Sequence, residues 1–150
     1  MTGFDSKTEK ILHELSADGR ISNLELAERV GLSPSACLRR VQDLERRGVI
    51  TGYRAVLDPV EMGNGFIAYL GVGLSDHSKR SLEAFEAAIG RIPEVRECHN
   101  TTGTIEYLLR IECADIKSYK AFHTEKLGAL PQIGSITTYV VIGSPKDERA

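Results

Sequence analysis

The sequence predicts an α+β chain in two parts: three short helices, then a βαββαβ unit with two helices on one side of a four-stranded sheet. Three observations carry this. Apolar residues recur at helical spacing from Ile11 to Leu44, an Asp58–Pro59 step interrupts the pattern, and from Phe66 onward alternating strands exchange with amphipathic helices. The 150 residues, 41% of them hydrophobic, suffice for one ordinary domain or two small ones with packed cores.

In the first part, "DSKTEKILHELSADGR" offers Asp5 or Ser6 as N-cap, spaces Ile11, Leu12 and Leu15 along one face and stops at Gly19. "SNLELAERVG" repeats the pattern: Ser22 or Asn23 caps, Leu24, Leu26, Ala27 and Val30 are apolar, and Gly31 ends the helix. A third helix opens on Ser33 with Pro34 in its first turn, where a missing N–H is no loss, and closes at Gly48. Cys37, Val41 and Leu44, with Leu38 beside them, make its buried stripe, so Ser35, Ala36, Arg39, Arg40 and Asp43 face outward. Two helices joined by a tight glycine turn, the second opening on small polar residues and presenting arginines, form a helix-turn-helix, whose second helix enters the major groove of double-stranded DNA.

Charge supports that reading by its distribution rather than its sum. The chain carries 19 basic and 21 acidic residues for a net −2. Between residues 39 and 54, however, Arg39, Arg40, Arg46, Arg47 and Arg54 face only Asp43 and Glu45. Pairs at i,i+4, Arg39–Asp43 and Asp43–Arg47, would by themselves make an ordinary salt-laced surface. They explain neither the short turn nor the local positive excess.

A short strand from Tyr53 to Leu57 is expected to lead to the boundary, with domains at 1–58 and 59–150, because the residue before Pro59 is pushed out of helical geometry. Beyond it the pattern predicts a strand over 66–75, a helix over 78–92, strands "VRECHNTT" and "EYLLRIEC" around Gly103, a helix over 115–130 and a strand over 135–143. Leu82, Phe85, Ile89 and Ile92 stripe the first of these helices; Ile116, Tyr119, Phe122 or His123, Leu127 and Leu130 stripe the second. This order is the ferredoxin-like split βαβ. In the first strand Phe66, Ala68, Leu70, Val72 and Leu74 oppose Ile67 and Tyr69, and in the last Ile136, Val140 and Ile142 oppose Tyr139 and Val141. Both faces read as apolar while helices cover one, so the other is expected to pair with a second copy in a homodimer.

Other chemistries lack their residues. Cys37, Cys98 and Cys113 are odd in number and widely spaced, which predicts reduced, buried thiols rather than disulfides or a zinc site. His13, His77, His99 and His123 show no metal-ligand spacing, and no phosphate-cradling loop, nucleophile elbow or paired-carboxylate site is present. No metal, cofactor or catalytic residue is expected. The N-terminus has no apolar signal core and no run is long enough to cross a bilayer, so a cytoplasmic protein without membrane contact is expected.

"DGRISNLELAERVGLSPSACLRRVQDLERRGVITGY", the "LDP" hinge, "ECHNTTGTIEYLLRI" and "LPQIGSITTYVV" together resemble the Lrp/AsnC (leucine-responsive/asparagine-responsive, feast-famine) transcriptional regulators over nearly the whole chain. The resemblance implies a winged helix-turn-helix that regulates amino-acid metabolism genes and a βαββαβ domain that senses a free amino acid. It implies dimers that assemble into octamers or larger discs, with effector sites between dimers. It places Ser33 through Arg47 on the recognition helix, with Ser35, Ala36, Arg39 and Arg40 at base edges, Arg46 and Arg47 nearer phosphates, and Thr51 through Arg54 in the wing. The family's T-G-x-x-D-Y effector loop reads "TGTIEY" here, with Glu106 in place of the usual aspartate and Thr104 where an acidic residue is often found. Gly103 would let backbone N–H groups approach the ligand carboxylate, with the hydroxyls of Thr101, Thr102 and Thr104, while Glu106 receives its ammonium. The longer Glu106 side chain is expected to favour a small or polar ligand. Two other readings share the fold: a tetrapyrrole decarboxylase-like enzyme, for which His99, Arg110 and Tyr107 supply only part of the chemistry, and an architectural protein that wraps DNA with little sequence preference.

Overall fold

Side-chain caps delimit the N-terminal helices. In the computed structural model, which describes residues 3–149, α1 (Ser6–Ala17) is capped by Asp5, whose carboxylate accepts the Thr8 N–H at 2.8 Å. Ser22 caps α2 (Asn23–Val30) and Ser33 caps α3 (Pro34–Arg46), each hydroxyl accepting the N–H three residues on. Between α2 and α3 the chain reverses at Gly31, where φ is 67°, a left-handed conformation that favours glycine. Lys7 Nζ donates to the Val30 carbonyl at 2.6 Å and the Gly31 carbonyl at 3.2 Å, tying α1 to the unpaired end of α2. Ile11, Leu26, Ala27, Val30, Cys37 and Leu44 form the buried core, flanked by Leu15, Val41 and Ile50.

The stripe on α3 is narrower than expected. Leu38 is 44% exposed because it follows Cys37 by one residue and so points about 100° away from the core. Nor does the expected strand from Tyr53 to Leu57 form. Residues 51–57 run outside any strand and are exposed, since among the described residues no segment pairs with them in a ladder. The wing is therefore an extended strip, anchored where the Tyr53 hydroxyl donates to Glu45 at 2.9 Å.

The chain divides into two compact units, Met1–Ala55 and Val56–Ala150. The second contains β1 (Phe66–Leu74), α4 (Lys79–Ile89), β2 (Val95–Asn100), β3 (Tyr107–Cys113), α5 (Ile116–Ala121) and β4 (Ile133–Val140). Its sheet is antiparallel in the order β2-β3-β1-β4. Ala68, Leu70, Val72 and Leu74 of β1 and Tyr107, Leu109, Ile111 and Cys113 of β3 point inward onto Phe85 and Ile89 of α4 and onto Phe122 and Leu127. The last two follow α5 in a π-helical turn, Phe122–Leu127. Its wider winding brings residues five apart onto one face.

Four expectations need correction. Ile116 is 63% exposed, because the inward stripe begins a turn later at Tyr119. Ile142 lies beyond the end of β4 and is fully exposed. Cys98 is exposed on β2, an edge strand, while Cys37 and Cys113 are buried. The outer sheet face is mixed rather than apolar: register places Glu97 opposite Arg110 and His99 opposite Leu108. Arg110 donates to Glu112 at 2.7 Å, leaving Ile67, Tyr69, Leu108 and Tyr139 as the apolar part. Charge on this face was hidden by reading β1 and β4 alone, because the charged residues lie on β2 and β3.

Candidate DNA-binding surface and ligand site

The capping of α3 directs its small residues outward. Ser33 is spent on the Ala36 N–H, and Asn23 of α2 donates to the Pro34 carbonyl at 2.9 Å, fixing where the helix starts. That amide is a positioning contact absent from the sequence reading. Ser35 and Arg39 lie exposed with Ala36 half-buried between them. Among the described residues Arg39 makes no ion pair, and neither does Arg54 on the extended strip.

The other arginines of α3 are held. Arg40 does not share the exposed face: its guanidinium donates to both Asp5 carboxylate oxygens at 2.7 Å and to the Thr8 hydroxyl at 2.9 Å. Arg46 and Arg47 both pair with Asp43, and the Arg47 guanidinium lies 5.5 Å from the centroid of the Phe4 ring. Phe4, Asp5, Ala36, Arg39, Arg40 and Arg47 line an open groove of about 530 Å³ along the helix. Structure thus groups Ser35, Ala36 and Arg39, and withdraws Arg40 into a clamp between α3 and the start of α1.

The Arg40 guanidinium beside Asp5, together with the Thr8 N–H, holds the Asp5 carboxyl well below its ordinary value of 3.8. Its folded value lies below the unfolded one, so its stabilisation is complete above the ordinary value and is lost as pH falls through the folded one. Asp5→Asn keeps a good N-cap and removes only the charge. Its urea midpoint is expected below the wild type's at pH 7, with the difference shrinking under more acidic conditions. A difference independent of pH would contradict the clamp.

The second site is the loop between β2 and β3. Its neck is closed by the Thr101 N–H donating to the Glu106 carbonyl at 2.8 Å, and Gly103 turns the chain at φ 128°. The Thr101 hydroxyl is used inside the loop, donating to the Ile105 carbonyl at 3.2 Å, whereas Thr102 and Thr104 are exposed. Glu106 folds back over β1. Its Oε2 accepts the Leu74 N–H at 2.6 Å, and its Oε1 lies 2.8 Å from His77 Nε2.

Room for this comes from β1. A Cβ at Gly73 would meet Ser135 Oγ at 2.5 Å and Glu106 Oε2 at 3.6 Å, and one at Gly71 would meet Ile105 Cδ1 at 3.0 Å. Two glycines at alternate positions of "YLGVGLS" were the available signal, because bare positions on one strand face admit a close neighbour. Gly73, His77 and Ser135 are the site residues that sequence reasoning missed. Conversely, the residues of the enzyme reading do not converge. Tyr107 is buried on the inner face with its hydroxyl donating to Glu86, and burial plus that carboxylate push it up to about 12. Arg110 and His99 lie on the outer face, paired with Glu112 and Glu97.

A helix-turn-helix with an arginine-bearing second helix, joined to a βαββαβ unit that carries a loop site, defines a ligand-responsive DNA-binding regulator. Comparison with known families agrees. Residues 67–150 match the Lrp/AsnC ligand binding domain, and residues 4–51 match a winged helix-turn-helix DNA-binding domain. The chain belongs to the Lrp/AsnC family of transcriptional regulators. It is 44% identical over 138 residues to the proline dehydrogenase transcriptional activator of Rhizobium radiobacter, covering 92% of this chain and 88% of that one. It is 39% identical over 142 residues to the leucine-responsive regulatory protein of Escherichia coli K12, covering 95% and 87%. Among solved structures, the regulator NMB0573 of Neisseria meningitidis in complex with L-Met superposes with a TM-score of 0.92 at 34% identity, covering 96% and 93% of the two chains.

Proposed function

We propose that this regulator reads its operator through Ser35, Ala36 and Arg39, leans on phosphates with Arg46, Arg47 and Arg54, and is modulated by a free amino acid bound at Thr101–Glu106. The observation that carries the DNA reading is Arg39: alone among the arginines of α3, it has no ion-pair partner among the described residues. An unpaired guanidinium on an exposed recognition helix is available to a guanine edge. Arg40 contributes by holding α1 and α3 together rather than by touching bases. An effector is supported by the match to a ligand-binding domain and by the L-Met complex of a structural relative. Thr102, Thr104 and the loop's backbone N–H groups receive the carboxylate end and Glu106 the ammonium, with the glutamate's length favouring a small or polar side chain. Genes of amino-acid metabolism are the fitting targets, in the cytoplasm where that DNA lies.

Assembly follows from the outer sheet face, whose apolar part of Ile67, Tyr69, Leu108 and Tyr139 suits a two-fold partner, with the mixed-sign pairs at its edge. Dimers would then associate to octamers or more, completing the effector sites between them. Tyr139→Arg in the full chain is expected to shift sedimentation velocity toward monomer at micromolar concentration; unchanged assembly would reject this face. A mobility-shift titration on the chain's own upstream region, with and without each amino acid, tests the whole reading. Binding to operator and random DNA with equal affinity would favour the architectural role instead.

A further inference from the structure

Glu106 sits in a donor pattern that leaves one side replaceable. Its Oε2 is anchored by the Leu74 N–H at 2.6 Å inside the sheet, over the bare position of Gly73. Among the described residues its Oε1 is met by His77 Nε2 alone, at 2.8 Å, and the same nitrogen is 3.1 Å from the Leu74 carbonyl oxygen. Two acceptors meeting at one nitrogen require Nε2 to carry the hydrogen. A carboxylate and a carbonyl converging on one N–H is also the arrangement that an ammonium group, with three donors and a full charge, satisfies better than an imidazole.

His77 is built to leave. It lies on the segment between β1 and α4, in no helix or strand, with its side chain 67% exposed against 25% for Glu106. The charged groups beside it are Glu106 and, on its own segment, Asp76, whose carboxylate is occupied by the Ser78 N–H and hydroxyl, each at 2.9 Å. From β4, Ser135 brings only a hydroxyl to this corner of the sheet.

On the reading that Glu106 receives an amino acid, we infer that His77 is a displaceable stand-in for the ligand's ammonium, a latch that the amino acid must open. The imidazole N–H offers Glu106 one donor where an ammonium offers three and a full charge, so the incoming ligand takes over the carboxylate but must first open the latch. Amino-acid affinity of the wild type is therefore held down by His77.

Calorimetry with each of the twenty amino acids on the full chain tests this with wild type, His77→Ala and His77→Gln. His77→Ala is expected to bind roughly two- to tenfold tighter than wild type, the worth of one hydrogen bond that the ligand no longer has to break. His77→Gln, which keeps a neutral donor, should lie between them. Binding that is equal in all three proteins overturns the latch while leaving the amino-acid site standing. Weaker binding in His77→Ala overturns it too, since the imidazole would then be a contact to the ligand. If none of the twenty amino acids binds wild type or His77→Ala, both the site and its latch are rejected.

Discussion

Replacing Arg39 by alanine is expected to weaken cognate operator binding by about 1–3 kcal/mol, roughly 5- to 150-fold, while affinity for random DNA falls far less. The side chain is exposed and has no ion-pair partner among the described residues, so under the proposed base-reading role the loss is that of a base contact. Arg47→Ala should behave differently. Its guanidinium is already shared with Asp43 and stacked on Phe4, a placement suited to a phosphate, so binding to all sequences weakens together. The slope of log affinity against log salt should fall by about 0.9 with that one contact removed. Competition mobility shifts at several salt concentrations measure both, and equal losses on cognate and random DNA for Arg39→Ala would sink its base-reading role.

Leu44→Ala, on the opposite face of the same helix, is expected to have the larger effect on stability. Leu44 is 1% exposed and is one of six buried core residues among the described residues of the N-terminal unit. Truncating a buried leucine costs about 2–5 kcal/mol, depending on how far the cavity collapses. A unit of this size buries little surface, so that loss approaches its whole stability. DNA binding should disappear for every sequence alike, and helical ellipticity should melt at lower temperature. Amide protection in the β-sheet of the second unit should survive, because its core shares no residue with the first. Loss of protection in both units together would show that they unfold as one.

How far sequence reasoning reached depended on the range of the interaction. Asp5, Ser22 and Ser33 were readable as caps because each bonds an N–H three residues along. The inward faces of β1 and α4 were readable because strand and helix periods are local properties. The phase of the last helix was not. Ile116 fell off the stripe where α5 gives way to a π-helical turn, a change that a 3.6-residue template does not anticipate. Tyr53 to Leu57 looked like a strand by composition, yet a strand exists only where another backbone pairs with it.

The sequence by itself determined where the helices start, the βαββαβ order, the exposed arginine helix and the glycine-turned loop, because capping, periodicity and turn chemistry act within a few residues. Tertiary structure decided what each charge does. Asp5 reaches Arg40 across 35 positions and removes it from the reading face. Leu74 and Glu106, 32 apart, meet over Gly73, and His77 completes the carboxylate's shell. Such pairings arise from which segments the packed cores bring together, and the geometry of those contacts, rather than the residue types, sets which arginine is free and which carboxylate is held.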